Sequence, residues 1–144
     1  MNTPYITLHN QKLQDKLDSF ITQYGELELE KALDIYMKMN QVYTCKTKTS
    51  LSRICISDIN YLRIEGHHIA VHTSNGIYHK YGSLNQELEH LSAYDFFRCS
   101  QNCIVSISKI SSIEQNKIFL LDNTVLHISR NNLSKLIMAF NGKY

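Results

Sequence analysis

The apolar residues of this 144-residue chain change their spacing partway along, from the period of a helix to the period of a strand. In the first part they recur every three to four residues, in two runs separated by Gly25. After about Thr49 they alternate with polar residues, which is typical of strands with one buried face. The change predicts a helical extension over residues 1–43 and a mainly β domain over residues 44–144.

The extension is predicted to be a hairpin of two helices. The apolar residues of its first helix share one face: Leu13, Leu17, Phe20, Ile21 and Tyr24. Glutamates at the start of the second helix suit the positive end of a helix dipole. A hairpin this short buries too little surface to be stable alone. We therefore expect it either to dock on the β domain or to pair with a second copy.

The β domain is predicted to consist of short antiparallel strands. They cover residues 51–56, 61–65, 69–73, 77–81, 103–105, 110–113, 118–121 and 125–128. Gly66 and Gly76 supply tight turns between early strands. This series of closely spaced strands favours antiparallel sheets over a βαβ arrangement.

Small helices are expected to interrupt these strands. Ser83 and Gln86 have the spacing of a capping box, which predicts a short helix with Glu87 and Glu89 facing solvent. Ser129 is expected to cap a last helix over residues 131–140. The predicted fold class is therefore mainly β, with small helices and a helical hairpin in front.

The net charge of +2 is unevenly divided. Residues 1–40 hold four Lys/Arg and six Asp/Glu, a balance of −2, which leaves +4 for residues 41–144. A domain of this charge can bind DNA only through well-placed contacts, not through bulk attraction. No run approaches the roughly 18 apolar residues of a membrane helix, and the start lacks a signal-peptide pattern, so a cytoplasmic protein without membrane contact is expected.

The cysteines and histidines do not predict a metal site or a catalytic centre. Cys99 and Cys103 have a spacing that zinc sites use, but no second Cys/His pair lies at ligand spacing nearby. His68 and His72 share a strand face without an evident third ligand. No cysteine–histidine pair or glycine-rich phosphate loop has a recognisable spacing. We expect reduced, mostly buried thiols, no cofactor, no small-molecule substrate and no enzymatic activity.

An ordered series of motifs resembles the LytTR DNA-binding domain family. Residues 57–62 (SDINYL) are similar to its "DI-x-Y-I/L" segment, and residues 83–89 to its "SL-x-x-LE" helix. The block of residues 96–105 resembles "F-x-R-x-H-x-S-x-(I/L)-V-N", and residues 127–130 resemble its closing "(I/V)-S-R". The resemblance extends in order from about residue 45 to residue 140.

The resemblance implies antiparallel sheets and a bacterial transcription regulator that grips duplex DNA with loops. It also implies sites in short direct repeats, so a homodimer or two copies on tandem sites is expected. Forty residues are too few for the phosphoacceptor domain of the family, which predicts a stand-alone regulator without that control. Ser100, Asn102 and Ser106 stand where the family has other residues, and these differences concern base preference.

Three side chains are the leading candidates for base contacts. His67 follows Gly66 at a hairpin tip and matches the family's DNA-reaching loop position. The amide of Gln101 can bind adenine through two hydrogen bonds. The guanidinium of Arg130 can fork onto guanine or phosphate.

Further polar and basic residues are predicted to support DNA contact: Ser100, Asn102, Asn131, Lys46, Lys48 and Arg53. Each also has an ordinary structural interpretation, as a turn amide, a turn hydroxyl or a solvated charge. Arg98 is open between a DNA contact and an ion pair with a carboxylate such as Asp58 or Glu65. The alternative function is a protein-interaction module of the same fold that modulates another regulator.

Overall fold

The computed structural model describes residues 7–39 and 41–143, so the first six residues of the predicted extension lie outside it. The chain forms two compact units, Met1–Lys38 and Met39–Tyr144. The boundary predicted after residue 43 falls inside the first strand of the second unit. No helix within the described ranges has the length and apolar character needed to cross a membrane.

The first unit contains two helices, α1 (Gln11–Tyr24) and α2 (Glu26–Met39), which confirms the predicted helical pair. The side chain of Asn10 caps α1 by accepting from the backbone N–H of Leu13 at 3.1 Å. Gly25, at a φ of 89°, ends α1 and donates its N–H to Ile21. Several apolar side chains of this unit are half exposed, including Leu13 at 51% and Leu33 at 53%.

The second unit is mainly β, as predicted. Its elements in chain order are β1 (Val42–Lys46), β2 (Leu51–Cys55), β3 (Ile59–Glu65), β4 (His68–Thr73), β5 (Gly76–Lys80), α3 (Leu84–Leu91), β6 (Phe96–Ser100), β7 (Cys103–Ser106), β8 (Ile110–Glu114), β9 (Lys117–Leu120), β10 (Val125–His127) and α4 (Arg130–Lys143). Strands β1 and β6 were not expected. Short 3₁₀ turns follow β2, α3 and β7.

The strands form three antiparallel sheets. Their orders are β1-β2, β5-β4-β3-β7-β6 and β10-β9-β8. Strand β3 is the middle of the five-stranded sheet, with β4 on one side and β7 on the other. Since side chains alternate along a strand, β3 contributes Leu62 to one face and Tyr61 to the other.

A separate hydrophobic core covers each face of this sheet. The first core joins the β1–β2 hairpin and α3 to the sheet, with Tyr43, Leu62, Ile69, Leu84 and Leu91 among its fully buried members. The second core joins the three-stranded sheet and α4 to the opposite face through residues such as Val105, Ile118 and Leu136. The five-stranded sheet therefore lies between two packed layers.

The first core encloses a charged pair, and the prediction that Glu87 faces solvent is wrong. Glu87 is only 8% exposed, because it lies three residues after Leu84 and four before Leu91 on the same buried stripe of α3. Its carboxylate accepts from the phenol of Tyr43 and from Lys80 Nζ, the latter at 2.7 Å. Burial raises the pKa of Tyr43, so the phenol stays protonated and donates.

Replacing Glu87 by glutamine tests this pair. Glu87→Gln keeps the shape but leaves the Lys80 ammonium without its counter-charge in a largely buried place. We expect the free energy of unfolding in urea to fall by about 1–3 kcal/mol. The matched control is Glu89→Gln on the exposed side of α3, which should change stability by less than about 0.5 kcal/mol. Equal effects of the two substitutions would contradict the assignment.

Candidate nucleic-acid interface

Two tight turns lie side by side at one end of the five-stranded sheet. Glu65 pairs with His68, so the β3–β4 turn at residues 66–67 closes at the end of β3. Arg63 pairs with Cys103, which brings the β6–β7 turn to the same end. The two turns are joined directly, since Ile64 donates its N–H to the carbonyl of Asn102 at 3.0 Å. We call residues 66–67 and 100–102 the turn edge.

The turn edge presents exposed polar side chains. His67, Gln101 and Asn102 are all exposed, and Ser100 is partly buried. Gly66 has a φ of 64°, a conformation that a tight β3–β4 turn needs and that glycine adopts without strain. Residues that are 33 or more positions apart in the chain therefore meet at one end of the sheet.

The start of α4 lies beside the turn edge. The N–H of Ser129 donates to the carbonyl of Cys99 at 3.5 Å, next to the end of β6. The carbonyl of Ser129 then accepts from the N–H groups of Asn132 and Leu133 and opens the helix. Arg130 and Asn131 are consequently exposed on the β6 side of the turn edge.

The β1–β2 hairpin brings two lysines to the opposite flank. Tyr81, just after β5, donates its N–H to the carbonyl of Lys46 at 3.3 Å. Because Lys80 pairs with Ile69, this end of β5 is the end that carries the turn edge. Lys46 and Lys48 are exposed there. Arg53 is different, since it lies in the middle of β2 and its place on DNA stays a prediction.

The width of the candidate interface follows from the order of the strands. The sheet order places four strand spacings between β5 and β6. At about 4.8 Å per spacing, that end of the sheet is roughly 19 Å wide. The major groove of B-DNA is about 12 Å wide. The surface from Lys46 to Arg130 is therefore wide enough to contact one groove and the phosphates that flank it.

Arg98 holds the main chain of the β6–β7 turn. Its Nε donates to the carbonyl of Ser100 at 3.2 Å and its Nη2 to the carbonyl of Gln101 at 2.7 Å. Its Nη1 donates to the side-chain oxygen of Asn85 in α3. An ion pair with Asp58 or Glu65, one of the two alternatives that the sequence left open, is not found among the described residues. The guanidinium instead donates to two backbone carbonyls and to one side-chain oxygen.

The histidines near the turn edge pack on one another and on tyrosine. His72 stacks on Tyr61 with ring centroids 4.2 Å apart, and its Nε2 lies 3.7 Å from the carboxylate of Glu65. Burial lowers the pKa of His72, which favours the neutral ring. His68 meets His79 edge-on at 4.7 Å. Within the described ranges, no three His, Cys, Asp or Glu side chains form a group suited to a metal ion.

The cysteines of the second unit carry free thiols. Cys45, Cys99 and Cys103 are buried, and Cys55 is partly buried. The Sγ of Cys99 donates to the carbonyl of Cys103 at 3.5 Å. Hydrogen bonding with Cys103, together with burial, raises the pKa of Cys99, so this thiol is held in its unreactive protonated form.

The structure brings two further residues, Lys117 and His127, close to the candidate interface, and the sequence pattern did not indicate either as a site residue. The carbonyl of Asn116 accepts from the N–H of Ile128 at 3.0 Å, which brings the β8–β9 turn close to the start of α4. Lys117 and His127 pair across β9 and β10, and both are exposed. The sequence contains no signal for this position, since a lysine after a turn is too common to indicate a site.

Comparisons with known proteins agree with this architecture. The family model of the LytTr DNA-binding domain matches residues 49–141. Among solved structures, the LytTr DNA-binding domain of a methyl-accepting/DNA response regulator from Bacillus cereus is similar, with a TM-score of 0.58 and 22% identity. The match covers 68% of this chain and 94% of that domain. No curated protein matches the chain. The family match takes in most of the second unit, including the turn edge and the start of α4, and the chain belongs to the LytTR DNA-binding domain family.

Proposed function

We propose that this protein is a stand-alone bacterial transcription regulator that binds specific duplex DNA with the turn edge and the start of α4. The observation that carries the proposal is the convergence of exposed polar side chains from three separate segments at one end of the five-stranded sheet. His67, Gln101 and Arg130 reach that end from β3–β4, β6–β7 and α4. Membership of a DNA-binding domain family supports the same role.

The side chains divide into base contacts and phosphate contacts. Gln101 and Arg130 have the planar donor groups that read base edges in the major groove, and His67 and Asn102 lie beside Gln101 on the turn edge. Lys46, Lys48, Ser100 and Asn131 flank them and suit phosphate oxygens, which fix the register of a protein on its site. Arg53 would add attraction at longer range.

The proposal includes two copies on one DNA site, as short direct repeats require, and a cytoplasmic location. We assign the pairing of copies to α1 and α2. Their half-exposed leucines supply apolar surface that a second copy would bury, and a two-helix unit gains little stability from its own contacts.

Selection from random duplexes tests the function. The full chain should enrich a defined sequence and bind it with a Kd of roughly 10⁻⁸ to 10⁻¹¹ M at physiological salt, measured by fluorescence anisotropy. The affinity should fall steeply as salt is raised, because bound lysines and arginines displace counterions from the phosphates. Equal binding to selected and scrambled duplexes would reject sequence-specific regulation. Salt-insensitive or undetectable binding would favour the protein-interaction module.

Two substitutions at Arg130 test its contact with a base. Arg130→Ala should cost about 1–3 kcal/mol of binding free energy on the selected site and relax one base position. Arg130→Lys keeps the charge but loses the planar fork, so it should relax the same position with less loss of total affinity. If Arg130→Ala instead weakens binding equally on all sequences, and the slope of log affinity against log salt concentration falls by about one, Arg130 is a phosphate contact.

Exposed leucines test the assignment of α1 and α2. In sedimentation, the full chain should run as a dimer, and the double variant Leu13→Lys, Leu33→Lys should run as a monomer with unchanged helical circular dichroism. Met138→Lys is a matched control, since Met138 is a 75% exposed apolar residue of the second unit. This control should remain dimeric. A monomeric wild type, or a double variant that stays dimeric, would contradict pairing through these helices.

A further inference from the structure

The β6–β7 turn is held at three successive carbonyl groups. Arg98 donates to the carbonyls of Ser100 and Gln101, and Ile64 donates to the carbonyl of Asn102. The N–H of Asn102 also donates to the hydroxyl of Ser100 at 3.3 Å. The main chain of this turn is thus bound to its surroundings, while the side chains of Gln101 and Asn102 are exposed.

A guanidinium is suited to this role because its donors lie in one rigid plane. Each of the three nitrogens of Arg98 donates one hydrogen bond. Two of these bonds go to carbonyls of the turn, and one goes to the side chain of Asn85. A lysine ammonium at the same position would be a single point on a flexible stem, and it cannot span both carbonyls and the amide.

Asn85 is exposed, but the helix that carries it is anchored. It lies in the first turn of α3, inside a capping box in which Ser83 accepts from the N–H of Gln86 and Gln86 accepts from the N–H of Ser83. The same helix is anchored in the first core by Leu84 and Leu91. The line of contacts from α3 through Asn85 and Arg98 therefore ties the exposed turn to the protein interior.

We infer that Arg98 is a positioning residue that sets the sequence discrimination of the β6–β7 turn rather than the overall attraction to DNA. This inference rests on the proposed function. Two hydrogen bonds from one amide to one base edge require a fixed turn, because a mobile turn must be ordered when DNA binds and can adapt to wrong bases. Phosphate attraction has no such requirement.

Substitutions in the full chain separate this role from a phosphate contact. Arg98→Lys keeps the charge and loses the fork. It should lower the ratio of affinities for selected and scrambled duplexes by roughly tenfold, within the range for one bidentate base contact, and leave the salt slope unchanged. Arg63→Lys, the same exchange on β3, should leave the ratio unchanged. If Arg98→Lys binds both duplexes like wild type, or if Arg98→Gln lowers both affinities equally with a salt slope reduced by about one, the inference is overturned.

Asn85 offers a second test that leaves Arg98 in place. Asn85→Ala removes the acceptor for Nη1 and should lower the affinity ratio in the same direction as Arg98→Lys. Asn85→Asp restores an acceptor and should restore the affinity ratio to that of wild type. Its added negative charge is expected to weaken binding to both duplexes alike, which leaves the ratio unchanged. The inference would be overturned if wild type, Asn85→Ala and Arg98→Lys had the same ratio of affinities for selected and scrambled duplexes. This holds even if Arg98→Lys lowers the melting temperature, because a loss of stability alone does not show a role in discrimination.

Hydrogen exchange in the free protein gives a readout that does not depend on DNA. The amide of Asn102 should exchange faster in Arg98→Lys than in wild type, while amides in the middle of β3 keep their protection. Unchanged exchange at Asn102 would overturn the inference. If exchange rises as expected but wild type prefers no duplex, the proposed function fails and the hold of Arg98 on the turn stands.

Discussion

The structure depends on the central position of β3. Its main chain is hydrogen-bonded to β4 on one side and β7 on the other, and its side chains alternate between two cores. A shift of one residue in this register would exchange Leu62 and Tyr61 between the cores, so the register is strongly determined. The same register brings the β3–β4 and β6–β7 turns together. Packing and the geometry of the interface therefore have one common cause.

The cations of the second unit have two different uses. Lys80 neutralises Glu87 beneath α3, and Arg98 binds backbone carbonyls beneath the β6–β7 turn. Both side chains have their partners within the protein. Lys46, Lys48 and Arg130 are exposed around the turn edge. A modest net charge is consistent with DNA binding, because a few exposed cations are concentrated on one surface while other cations stabilise the fold.

Alternation and turn residues predicted most of the strands, and motif order predicted the family. Strand β6 was missed because Phe96 and Cys99 are both buried although they lie on opposite faces, so its residues do not alternate in polarity. Glu87 was misread because a carboxylate on a helix is usually solvated. Its burial is tolerated because Lys80, at the end of the preceding strand, and Tyr43, on the distant β1, both donate to it. The sequence left Arg98 open between a DNA contact and an ion pair. Its acceptors are two main-chain carbonyls and the side-chain oxygen of Asn85, and sequence letters do not reveal such partners.

The sequence by itself determined the two-part division, the mainly β class, the family and the residue types suited to DNA. These follow from local period and from motif order, which are properties of neighbouring residues. Only the tertiary structure decided which of those residues meet. The convergence of His67, Gln101 and Arg130, the nearness of Lys117 and the hold of Arg98 on the turn depend on strand order and register. Those are set by burial of both faces of β3, which is a property of the whole fold and not of any segment.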